Sequence, residues 1–213
     1  MAWELIGTEL SAGEVSLPEI QPRECSELPD DSGEKKYSAE LPDDSGELME
    51  SKIQKQEETI EKVRWGETTL TDTQEKGNYG EMVADCSMRE LGYSRISRDM
   101  VTDLKDSTHQ GIDGIYYKPG GYPPYIIADA KYNTAQLEQT LDGKQMSESW
   151  IDSRLDAAVG KERADDIREA MLDDDVGCYV IRVGIGNDVN SPVIFEKLDG
   201  NANIISRGER IDA

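Results

Sequence analysis

Glu81, Asp113, Asp129 and Lys131 are the residues whose types and spacing could do chemistry. Asp129 and Lys131 sit two apart in the run Tyr125-Ile126-Ile127-Ala128-Asp129-Ala130-Lys131-Tyr132. That run reads as a strand, so the two side chains project from one face. Their neighbours are small or apolar. A carboxylate and an ammonium on such a strand lose hydration unless they pair or bind something. Asp113 opens an earlier strand and can lie beside them if the two strands form a hairpin. Asp113 and Asp129 offer hard oxygen ligands suited to Mg²⁺ or Mn²⁺, and the Ala130 carbonyl could add another. Such a site fits phosphodiester hydrolysis, in which the cation polarises the phosphoryl oxygen and acidifies a water. Lys131 could orient or deprotonate the attacking water, or offset charge in the transition state. Glu81 could hold a second metal or an outer water.

The elements that must position these groups follow from periodicity. Tyr79, Met82, Val83, Cys86 and Leu91 recur at three- and four-residue spacing, predicting an amphipathic helix that ends at Gly92 and carries Glu81. Residues 93–97, 112–117 and 125–132 read as strands, the last two joined by the turn Lys118-Pro119-Gly120-Gly121-Tyr122-Pro123-Pro124. Helical patterns follow over 146–159 and 162–172. Strands are predicted over 178–183 and 193–198. The order predicts a mixed α/β domain over residues 76–213.

Ahead of it the composition changes. Glu27-Leu28-Pro29-Asp30-Asp31-Ser32-Gly33-Glu34 recurs as Glu40-Leu41-Pro42-Asp43-Asp44-Ser45-Gly46-Glu47, so residues 1–47 read as an acidic low-complexity linker. Residues 48–75 read as a solvated helix, at best half docked, and a polar loop. Its apolar positions are few: Met49, Ile53, Ile60 and Val63.

Composition excludes several classes. The chain has 213 residues and a formal charge of −22. Residues 1–75 carry 7 basic against 20 acidic side chains and the remainder 16 against 25, so the domain itself is near −9. Neither part is a basic nucleic-acid-binding surface, although Arg89, Arg95, Arg98, Lys105, Lys118 and Lys144 could cluster near the site. Three widely spaced cysteines and one histidine argue against a disulfide scaffold, a Cys-only zinc site and a Ser-His-Asp triad. No apolar run approaches the ~20 residues needed to span a bilayer. No basic stretch precedes an apolar one at the N-terminus, so no signal peptide is expected.

A helix Glu, a strand Asp and a strand Asp-x-Lys in this order resemble the PD-(D/E)xK nuclease superfamily. The likeness covers roughly residues 76–198. The runs Gly77-Asn78-Tyr79-Gly80-Glu81, Gly111-Ile112-Asp113-Gly114, Asp129-Ala130-Lys131-Tyr132 and Lys144-Gln145-Met146-Ser147 look like the C-terminal nuclease domains of bacterial polymorphic and contact-dependent growth inhibition toxins. The resemblance implies a restriction-endonuclease-like mixed sheet flanked by helices. It implies metal-ligand roles for Glu81, Asp113 and Asp129, a catalytic role for Lys131, and a role for Gln145 on the following helix. It also implies a nucleic acid substrate (DNA or tRNA) and a cognate immunity protein. Delivery as part of a larger toxin into a target-cell cytoplasm is the implied setting. The sequence departs from the family in having Ile112 where many members have Pro, and Asp129 where Glu is commoner.

Other residues have plainer readings. His109 satisfies a loop hydrogen bond or contacts phosphate, and Lys144 is a candidate substrate contact. Trp150 reads as core, Cys86 and Cys178 as small buried apolar residues, and Asp173-Asp174-Asp175 as a solvated turn. Two alternatives use the same residues: a repair- or restriction-type nuclease, and an inactive nuclease-fold module with an acidic binding face.

Overall fold

A computed structural model describes residues 44–107 and 111–208. The repeat up to residue 43 and His109 lie outside the described residues.

The first helix, α1, spans Asp44–Arg64 and begins earlier than expected. It is more than a solvated rod. Gln56, Ile60 and Val63, at i, i+4 and i+7, are buried, and they face the second helix, α2 (Thr73–Glu90). The sequence hid this because the buried face is anchored by a glutamine. Gln56 Nε2 donates to Asp85 Oδ2 at 2.7 Å and to the Val101 carbonyl at 2.7 Å. Its Oε1 accepts from Arg89 Nη1 at 3.2 Å, and an amide with both ends used can be buried without leaving a polar group unpaired.

α2 starts where the sequence supplies caps. Asp72 accepts the Glu75 N–H at 2.8 Å, and the Glu75 carboxylate accepts from the Thr71 amide and hydroxyl. It ends as Gly92 turns left-handed at φ +82°, with the Tyr93 N–H donating to the Met88 carbonyl.

The strands are β1 (Ser94–Arg95), β2 (Gly114–Tyr117), β3 (Tyr125–Tyr132), β4 (Gln139–Thr140), β5 (Gly143–Lys144), β6 (Val176–Val183), β7 (Ile194–Leu198) and β8 (Ile204–Arg207). Helices α3 (Glu148–Val159) and α4 (Lys161–Leu172) connect β5 to β6. The main sheet has six strands in the order β1-β2-β3-β6-β7-β8, and β4-β5 form a separate two-stranded ribbon. Only β3 and β6 run parallel; the other neighbours are antiparallel. The fold is therefore mixed α/β. The ribbon and β8 are too short or too polar to have shown in the sequence.

Strand alternation sorts two cores. Ile126, Ala128, Ile181 and Val183 pack with Tyr79, Met82 and Val83 of α2. Ile127, Ile115, Val180 and Leu198 pack with Trp150, Ile151 and Leu155 of α3 and Ile167 of α4. Asp129 and Lys131 continue the second row, so they point to the α3 side of the sheet. No described helix is long and apolar enough to cross a membrane.

Candidate active site

Antiparallel pairing sets Gly114 opposite Ala128, which brings Asp113 alongside Asp129. Asp113 precedes β2, and its Oδ2 accepts the Ala130 N–H at 2.9 Å. Asp129 is fully buried. Its Oδ2 contacts Lys131 Nζ at 2.6 Å, and its Oδ1 accepts from Gln145 Nε2 at 2.6 Å. Gln145 lies just after β5, before α3. Its Oε1 also accepts the Glu138 N–H at 3.2 Å, which ties the base of the ribbon to the acid.

Glu81 is half-buried on α2, and its charge is felt by both aspartates. Burial, then Asp129 and Glu81, push the Asp113 carboxyl well above its ordinary range. Burial also raises Asp129, although Lys131 opposes the shift. For Lys131, burial alone would lower the pKa, but the Asp129 and Asp113 carboxylates outweigh it and raise it. Lys131 is thus a cation at neutral pH.

The other expected contacts are placed elsewhere. Lys144 Nζ donates to the Ala202 carbonyl at 2.6 Å, committed away from the acids. Of the basic residues expected to gather at the site, Arg95 reaches it, at the Asp113 backbone, while others are dispersed. Arg89 pairs with Glu57, Lys118 donates to the Leu91 carbonyl, and Arg98 lies beside Gly160. Trp150 is core, as expected, with Arg154 stacked 4.3 Å from its ring. Cys178 is half-buried, and burial pushes its thiol up to about 12, so it is no nucleophile.

Two arginines matter more than their sequence context suggested. Arg95 is buried and pairs with Asp85 at 2.5 Å. It also donates to the backbone carbonyls of Asp99 and, at 2.6 Å, of Asp113. Asp85 further accepts from Tyr116 Oη at 2.7 Å. This explains Gly114: a Cβ there would run into the Tyr116 ring. Arg182 is the register partner of Lys131 on β6. Its Nε donates to the buried Glu196 at 2.8 Å, and its Nη1 to the carbonyls of Asn133 and Ala135, fixing the chain that leaves Lys131. The signal available was a single arginine inside the apolar run Cys178-Tyr179-Val180-Ile181-Arg182-Val183.

The donor set fits a hard dication in kind: the acids offer oxygen only, and a divalent charge would offset two crowded carboxyls, Asp129 fully buried and Asp113 half-buried. As placed, no three Asp, Glu, His or Cys side chains among the described residues stand close enough to hold a metal. Lys131 contacts Asp129 Oδ2 and Gln145 contacts Oδ1, so a metal on Asp129 would share or displace one of these contacts.

No family model, curated protein or solved structure matches the chain.

Proposed function

We propose that residues 76–213 form a divalent-metal-dependent endonuclease hydrolysing phosphodiester bonds. The observation that carries this reading is the convergence of Asp113 and Asp129 from paired strands with Lys131, Gln145 and the nearby charge of Glu81. The element order also supports a PD-(D/E)xK fold: a helix, three antiparallel strands, helices, then a strand parallel to the third.

Glu81, Asp113 and Asp129 would hold Mg²⁺ or Mn²⁺, which when bound supplies Lewis-acid polarisation of the phosphoryl oxygen and a more acidic water. Lys131, raised in pKa, keeps its proton and stabilises negative charge at the phosphoryl oxygens instead of acting as the base. Gln145 holds Asp129 from the opposite oxygen, and Arg95 holds the Asp113 backbone, so both acids are oriented before substrate arrives.

The likeness to polymorphic toxins extends the proposal. The domain would be the effector end of a larger delivered chain, acting on DNA or tRNA in the target-cell cytoplasm and neutralised by an immunity protein. A second reading, an inactive binding module, is favoured by the dispersed basic residues and by the covering of Asp129 by Lys131.

Plasmid, single-stranded DNA and tRNA incubated side by side with Mg²⁺, Mn²⁺ or chelator separate these readings. Metal-dependent cleavage of at least one supports the nuclease, and none with any metal leaves the binding module. Expression in bacteria with and without the neighbouring open reading frame tests the toxin: unimpaired growth without that neighbour argues against it.

A further inference from the structure

A cavity of about 390 Å³ opens on the α3 side of the sheet, where β6 begins and β7 ends. Its floor is apolar. Met146, Ile151 and Leu198 are buried there, and Met171 and Val176 pack against the same core. Its mouth is charged. Glu148, Asp174 and Asp199 line it against a single basic residue, Lys197. The Asn203 amides, and then the Asn201 N–H, hold the Asp199 carboxyl below its usual range. Glu148 and Asp174 are exposed, and neither forms an ion pair among the described residues. Burial first, and then the Glu148 charge, raise the Cys178 thiol that lines the cavity, so this carboxylate acts on the interior. Two large exposed apolar side chains flank the opening: Tyr122, which lines it, and Leu172, which follows Met171. None of Glu81, Asp113, Asp129 and Lys131 lines this cavity.

Cavities of roughly 300–1,000 Å³ suit a bound organic group. An apolar floor under a net-negative rim fits an aliphatic stem that ends in a cation. Lysine and arginine side chains have that form, with the stem covered and the charged head left at the wet edge. An anion would meet the carboxylates of the rim. A neutral apolar group would strip water from Glu148 and Asp174 and give them no counter-charge.

We propose that this cavity receives an arginine or lysine side chain of a partner protein with a basic contact surface. Charge complementarity selects the partner, because the chain carries −22 and this rim is net negative. Tyr122 and Leu172 would pack around the anchoring side chain and keep water from it. The site stands apart from the nuclease reading; under the toxin reading, the immunity protein would be such a partner.

The test follows the methionine methyl groups of the full chain by NMR. The probes are n-butylguanidinium, n-pentanol and pentanoate, similar in length but positive, neutral and negative. Met146 and Met171 should shift on titration with butylguanidinium, while Met82 and Met88, in the other core, stay still. Pentanol should bind about tenfold more weakly, and pentanoate more weakly still. Glu148→Gln with Asp174→Asn removes rim charge at two exposed positions, and Asn suits the left-handed backbone at Asp174 (φ +60°). This double variant should melt like the parent and lose about tenfold in butylguanidinium affinity, with pentanol binding unchanged. Asp174→Asn alone should lose a smaller part. A blocked Leu-Arg-Leu tripeptide should bind about tenfold more tightly than butylguanidinium, and its citrulline analogue should not. Equal binding of the three small probes overturns the proposal. So does undiminished butylguanidinium binding by the double variant, or a Met146 and Met171 that stay still with every probe. A tripeptide no tighter than butylguanidinium overturns the protein partner, since the cavity would then hold a free small cation. None of these outcomes depends on whether the chain cleaves nucleic acid.

Discussion

Lys131 is held between two opposing influences, burial and the aspartates, and the aspartates win. Lys131→Ala should therefore lower cleavage by ~10²-fold or more while the fold survives. Lys131→Arg keeps the charge but not the compact ammonium geometry, and should recover part of the rate. Near-normal rates for Lys131→Ala on every substrate would remove the lysine from the chemistry. The acids make a separate pH claim. Asp113 and Asp129 have folded pKa values raised above the unfolded aspartate value. Their contribution to stability is complete below that ordinary range and is lost as pH rises through the raised values. Without metal, Asp113→Asn should thus raise the unfolding temperature near neutrality and have little effect in strong acid. Thermal melts across pH check this; destabilisation by Asp113→Asn at neutral pH would contradict it. The pairing of Asp129 with Lys131 was legible in the sequence, because strand alternation alone puts them on one face. Arg182 was not, and of Arg95 the sequence suggested nearness to the site but not its buried pairing. An arginine in a strand reads as a surface cation until its buried partners, Asp85 and Glu196, are known, and those lie 10 and 14 residues away.

At the scale of elements, the site depends on a buried network behind it. Asp85 on α2 holds Arg95, Tyr116 and Gln56, and Arg95 holds the carbonyl of Asp113. Asp85→Ala leaves Arg95 buried without its carboxylate and should cost ~3–5 kcal/mol of stability, read from denaturant melts. A loss below about 1 kcal/mol would mean that the network is solvated in solution. Through Gln56, α1 is part of this arrangement. A chain starting at Leu70 should melt lower than one starting at Asp44, since it uncovers the surface that Ile60 and Val63 bury. Equal melting would return α1 to the status of a solvated helix. Helices α2, α3 and α4 could be read because each turns one apolar face to the sheet, and β3 and β6 because their apolar residues run on into both cores. The β4–β5 ribbon could not, because two-residue strands carry no period, yet it is the ribbon that leads the chain into Gln145.

For the whole molecule, charge is the awkward property of a nuclease. The domain is near −9 and its basic side chains are spread out, so few phosphates can be neutralised on binding. Each neutralised phosphate contributes ~0.9 to the salt slope of duplex binding. Affinity for DNA should therefore fall with salt at a log–log slope no steeper than about −2; a slope near −6 would reveal a basic surface that the described residues do not contain. Metal-dependent hydrolysis at Asp129 is decided by one time course. Wild type and Asp129→Asn, matched for folding, are incubated with supercoiled plasmid in Mg²⁺ and again with chelator. A metal-dependent nuclease nicks as wild type in Mg²⁺, does not nick in chelator, and loses ~10²-fold or more in Asp129→Asn. Undiminished nicking by Asp129→Asn, or nicking by wild type that persists in chelator, would contradict it.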